Sequence, residues 1–143
     1  MATTTMPIPT ESVEQQILFR WARMQRCRYP ELDLLYHIPN GGSRKKAEAG
    51  RFKAEGVKAG IPDIFLPVPR DQYHGLYIEL KRTKGGRISP EQVMWMEALT
   101  KQGYCCAVCK GHEAAIKVIL DYLEGRDDWI WAYALQAGRE DNR

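Results

Sequence analysis

The chain has 143 residues, 44% of them hydrophobic and 27% charged, which is the balance of one folded domain of ordinary size. A mean hydropathy of −0.47, with no apolar run near ~18 residues, excludes a transmembrane helix. The opening MATTTMPIPTES has no basic segment leading into an apolar one, so the protein is expected to be cytoplasmic rather than secreted. The 21 Lys and Arg against 18 Asp and Glu give +3, compatible with a polyanionic partner without requiring one.

Residues 1–9 read as a flexible arm. Thr10 or Ser12 offers a helix N-cap, and Glu11 and Glu14 suit the positive end of the helix dipole. Val13, Ile17, Leu18, Trp21 and Met24 follow at helical spacing, predicting an amphipathic helix that ends near Cys27. Leu34 to Asn40 reads as a strand running into a turn at Asn40-Gly41-Gly42. The basic stretch SRKKAEAGRFKAEGVKAG predicts a loop and a short helix broken by Gly50 or Gly56. Ile61–Leu66 and Leu76–Lys81 read as an antiparallel hairpin, followed by a Gly-rich basic loop.

Ser89-Pro90-Glu91-Gln92 is a helix start, with Ser89 as cap and Pro90 at the first helical position. Val93, Met96 and Leu99 would form its inner face. A strand over Tyr104–Lys110 and a helix over Glu113–Glu124 complete the domain, that helix turning Ala114, Ile116, Ile119, Leu120 and Leu123 inward. Helices flanking one sheet on both sides make an α/β sandwich. The extension, residues 125–143, carries Trp129, Trp131 and Tyr133 and is expected to pack on the core or on a partner subunit.

Cys105, Cys106 and Cys109 sit in GYCCAVCKG, and Cys27 stands apart. A structural zinc site needs four ligands, and no second pair with matching spacing accompanies Cys106 and Cys109. Small apolar thiols in a buried strand explain the cluster better.

Chemistry concentrates in the hairpin. Asp63 opens one strand and Glu79 and Lys81 close the next. Side chains alternate along a strand, so Glu79 and Lys81 share a face while Ile78 and Leu80 point into the core. Two carboxylates close together repel, and burial disfavours their charge. A divalent cation with hard oxygen ligands relieves both costs, and the Leu80 backbone carbonyl is a plausible third donor. On spacing alone a surface salt bridge remains an equal alternative to this metal site.

The segment GIPDIFLPVPRDQYHGLYIELKRTKGGRISPEQVMWMEAL resembles the VRR-NUC family of the PD-(D/E)xK nucleases. TESVEQQILFRWA and the HIPNGG turn ahead of it, and GYCCAVCKGHEAA behind it, extend the likeness from about Thr10 to Glu124. The resemblance implies that residues 10–124 are the nuclease domain, with a restriction-endonuclease-like core, a central mixed sheet flanked by helices in αβββαβ order. It implies phosphodiester hydrolysis dependent on Mg²⁺ or Mn²⁺, with Asp63 and Glu79 as metal ligands, Lys81 as the motif lysine, and Gln92 bracing the site or a phosphate. An acid of the first helix, Glu11 or Glu14, would complete the metal shell, and the Glu11–Gln15 spacing favours Glu11.

DNA would be the partner. Arg44, Lys45, Lys46, Arg51, Lys53 and Lys58 on one side of the acidic motif, and Arg82, Lys84 and Arg87 on the other, are the expected phosphate contacts, with Asn40 in the preceding turn. No recognition helix for base edges stands out, so cutting directed by DNA structure is expected. Stand-alone family members resemble Holliday-junction resolvases acting as homodimers, and the compact chain resembles phage-encoded members. Flap or other branched-DNA cleavage, RNA cleavage, a non-catalytic DNA-binding subunit and a zinc protein are the competing readings.

Overall fold

A computed structural model describes residues 5–39 and 46–126. Asn40, Arg44, Lys45, the Gly41-Gly42 turn and the three tail aromatics lie outside the described residues.

Helix α1 (Glu11–Gln25) starts at Thr10, whose hydroxyl accepts the Val13 N–H at 3.2 Å. A 3₁₀ turn over Pro30–Leu34 leads to β1 (Tyr36–His37), then α2 (Lys46–Ala54), β2 (Ile64–Leu66), β3 (Leu76–Lys81), α3 (Pro90–Lys101), β4 (Cys105–Lys110) and α4 (His112–Leu123). The sheet order is β1-β2-β3-β4, with β1–β2 and β2–β3 antiparallel and β3–β4 parallel. This is the expected mixed sheet in αβββαβ order. The parallel step is supplied by α3, the crossover that a parallel pair requires.

One sheet face is the core. Ile64 and Leu66, Leu76, Ile78 and Leu80, and Cys105, Ala107 and Cys109 pack with Leu18 and Ala22 of α1 and Ala115, Val118, Ile119 and Tyr122 of α4. The opposite face carries Phe65 stacked on Tyr77, with ring centroids 4.2 Å apart, at one end and Glu79 and Lys81 at the other. Helix α3 covers this second face without fully burying any of its own residues.

Several expectations shift. The buried stripe of α1 is Glu14, Leu18 and Ala22, while Val13 and Met24 are exposed, so apolar spacing overstated that face. The strand expected over Leu34–Asn40 shrinks to two residues because Pro30 starts a 3₁₀ turn that consumes Leu34. Helix α2 passes through Gly50 and ends before Gly56. Strand β2 begins three residues later than expected, after the Ile61-Pro62-Asp63 lead-in. In α4, Ile119 and Leu123 are buried as expected, whereas Ala114, Ile116 and Leu120 are only half-buried and Ala115, Val118 and Tyr122 are buried in their place.

Candidate active site

Asp63 sits one residue before β2 and is held from both sides. Its carbonyl accepts the Ile38 N–H at 2.6 Å and lies 2.8 Å from His37 Nδ1, so that ring nitrogen carries the proton. Its Oδ2 accepts the Leu80 N–H at 2.9 Å. The lead-in reaches this place through Gly60, whose φ is +91° and where a Cβ would stand 2.8 Å from the Glu91 backbone carbon. Only glycine fits that approach.

Glu79, on the face away from the main core, is 2% exposed. Its Oε1 accepts the Gln92 amide at 2.7 Å and lies 3.3 Å from Lys81 Nζ. Gln92 is itself fixed by the start of α3: Ser89 Oγ accepts the Gln92 N–H at 3.2 Å, and Gln92 Oε1 accepts the Ser89 N–H at 2.8 Å. Because that capping box uses the amide oxygen, the amide NH₂ must face Glu79. Lys81 is 7% exposed, its stem covered by Gly86, where a Cβ would come within 3.0 Å of Lys81 Cβ.

The other carboxylate oxygen, Glu79 Oε2, is buried with no hydrogen-bond partner. Burial and the neighbouring Asp63 charge, only partly offset by Lys81, push the Glu79 carboxyl up to about 8. An orphaned carboxylate oxygen beside a second acid is costly as it stands, and a divalent cation would relieve it. Backbone alternation adds a third donor. The carbonyls of Gly75 and Lys81 are taken by Cys105 and Gly111 N–H of the β4 side, so the carbonyls of even-numbered residues face β2. Leu80 C=O therefore points to the edge where its own N–H meets Asp63. Among the described residues no three His, Cys, Asp or Glu side chains converge into a metal-holding group, so the donors the protein itself offers here are two carboxylates and this carbonyl. Such a set fits Mg²⁺ or Mn²⁺, which keep several waters.

The two acids of α1 part company. Glu11 is exposed and lines the cleft that contains Asp63, Glu79 and Lys81. Glu14 is 2% exposed, and its Oε2 accepts the His112 N–H at 2.7 Å and lies 2.6 Å from His112 Nδ1. It ties α1 to the start of α4, a role that no spacing argument indicated.

The cleft has a volume of about 840 Å³. Lys53 and Lys58 line it, and Lys58 Nζ lies 6.0 Å from the Trp95 ring centroid. Lys46 and Arg51 of α2, and Arg82, Lys84 and Arg87 of the β3–α3 loop, do not line it. Phe52 and Val57 also line the cleft, and sequence reasoning missed both because it weighed only the charges of this segment. Cys105, Cys106 and Cys109 are buried, and burial pushes the Cys106 thiol to about 11 and Cys109 to about 12, which suits packing and not thiolate chemistry. No described helix is long and apolar enough to cross a membrane.

No curated protein matches the chain. A solved structure described as "VRR_NUC domain protein" is 35% identical, superposes with a TM-score of 0.72, and is matched over 82% of this chain and 91% of its own. The family profile described as "VRR-NUC domain" matches residues 10–113, which run from the cap of α1 past β4 into the start of α4 and so enclose the whole acidic cleft. The chain belongs to the VRR-NUC domain family, a nuclease-type family with a restriction-endonuclease-like α/β fold.

Proposed function

We propose that the protein is a metal-dependent DNA endonuclease directed by DNA structure, resembling Holliday-junction resolvases and acting as a homodimer. The observation that carries this reading is the buried, unpartnered Glu79 Oε2 beside Asp63. Asp63, Glu79 and the Leu80 carbonyl hold the cation, with Glu11 lining the same cleft as a further acid. When bound there, a divalent cation supplies Lewis-acid polarisation of the phosphoryl group and a more acidic water. Lys81 orients the attacking water and offsets the charge that grows on the phosphoryl oxygens as the water oxygen bonds phosphorus and one P–O ester bond breaks. Gln92 keeps Glu79 Oε1 occupied, so that Oε2 is the oxygen left for the metal. Lys53 and Lys58 steer the phosphate backbone into the cleft. Two-fold pairing of subunits matches the two symmetric cuts of a junction.

The test is a panel of labelled duplex, flap, bulged and four-way DNA, with matched RNA, incubated with Mg²⁺, Mn²⁺ or EDTA, alongside molar-mass measurement in solution. Cleavage of branched DNA that needs the metal and is lost in Asp63→Ala, while DNA binding persists, is expected. A wild type that binds DNA and never cuts it with either metal would be a binding module.

A further inference from the structure

Surface helix α2 buries no residue, and its sequence KAEAGRFKA contains one large apolar side chain, the half-buried Phe52. Ala49, Phe52 and Lys53, spaced i, i+3 and i+4, form a stripe along the cleft wall, and Val57 continues it. The cleft at about 840 Å³ far exceeds the roughly 200 Å³ of an ion with six waters, and falls in the ~300–1,000 Å³ range of sites that enclose a whole organic ligand. A duplex backbone would use the cations and N–H donors of this cleft and leave its apolar wall unused, because the faces of paired bases are already stacked inside the helix. An aromatic and aliphatic wall, flanked by Lys53 and Lys58, with the Arg51 guanidinium 5.3 Å from the Phe52 ring centroid and the Asp63–Glu79 pair in the same cleft, matches a nucleotide whose base has left the stack.

Resting on the nuclease reading, we infer that Phe52 is a substrate-selecting residue that stacks on an unpaired base next to the scissile phosphate. The preferred DNA, whatever its arms, then carries at least one unpaired nucleotide at the cut. Stacking of one base on an aromatic side chain makes binding of such DNA about 5- to 150-fold tighter than binding of the fully paired counterpart.

The full chain is titrated, with Ca²⁺ in place of Mg²⁺ to hold turnover, against two duplexes differing only in whether one 2-aminopurine is paired or bulged. Wild type is expected to prefer the bulged duplex and to quench its 2-aminopurine fluorescence. Phe52→Ala is expected to lose the preference and the quenching with paired-duplex affinity unchanged, and Phe52→Tyr to retain both. Circular dichroism of Phe52→Ala matching wild type is expected, since α2 contributes nothing to the core. Equal affinity of wild type for the two duplexes, or a Phe52→Ala variant that discriminates like wild type, overturns the inference even if metal-dependent cleavage is intact. Absence of cleavage with any metal overturns the nuclease reading instead, and is seen in a separate assay.

Discussion

The acid pair should make the metal-free protein lose stability as pH rises, and one substitution isolates the effect. In the folded chain Glu79 titrates at about 8 instead of 4.5, so between those values the folded state holds one proton that the unfolded chain has released. Stability then falls with increasing pH, by up to ~1.4 kcal/mol per unit. The contribution is complete below pH 4.5 and gone above about 8, with a ceiling of about 5 kcal/mol over the whole window. Water entering the cleft and relaxation of Lys81 reduce this, and roughly 2–3 kcal/mol is expected, or about 6–15 °C in Tm for a chain of this size. Other groups titrate too, so the quantity to measure is the difference between wild type and Glu79→Gln in thermal and urea unfolding at pH 5, 6, 7 and 8 with EDTA. The two should converge near pH 5, and Glu79→Gln should be the more stable at pH 8. Millimolar Mn²⁺ should flatten the wild-type curve and leave the variant unchanged. Parallel curves for the two proteins across this range would refute the account of Glu79 as a carboxyl whose charge is unrelieved without a cation.

Lys81→Met should lower the cleavage rate by about 10²–10³ with little change in DNA affinity, measured by single-turnover kinetics and equilibrium binding. Asp63→Ala should abolish metal-dependent cleavage, and calorimetric Mn²⁺ titration should lose its binding heat. Gln92→Ala breaks both the capping box and the hydrogen bond to Glu79, so a loss of about 1–2 kcal/mol in urea unfolding should accompany weaker Mn²⁺ binding. Gly60→Ala should cost about 1–3 kcal/mol, because the left-handed φ and the 2.8 Å approach to Glu91 are both violated, with activity falling as Asp63 shifts. Replacing Lys53 and Lys58 together by Gln should reduce the log–log salt slope of duplex binding by roughly 0.9 for each phosphate that these two lysines neutralise.

The strand and helix order was legible in the sequence because the hairpin, the Ser89-Pro90 start and the apolar run of β4 are local signals. Asp63, Glu79 and Lys81 were legible as a set for the same reason, since strand alternation alone puts Glu79 and Lys81 on one face. What escaped is what depends on packing between distant segments. Glu14 falls in a stripe with Leu18 and Ala22, and its burial follows from His112, 98 residues later, offering two donors. The position of Phe52 on the wall of the cleft that holds Asp63 and Glu79 depends on where the chain carries α2, which its own polar sequence does not dictate. The exposed Val13 and Met24 err in the other direction: apolar spacing predicts a face, and tertiary packing decides which part of that face is used.

The geometry of the acid pair is referenced to the first turn of α3 as well as to the sheet. Strand pairing between β2 and β3 stops at Ile64 and Ile78, one residue short of Asp63 and Glu79. Beyond that point Asp63 is tied to β3 through its own side chain and the Leu80 N–H. Both acids also meet the same helix start, Glu79 through Gln92 and the Asp63 lead-in through the close approach of Gly60 to Glu91. The capping box that satisfies the first N–H groups of α3 thereby also sets which amide atom faces Glu79. A substitution in Ser89, outside the acid pair itself, should then loosen metal binding as well as the helix, because Gln92, which shares Glu79 Oε1 with Lys81 of β3, is oriented by the cap.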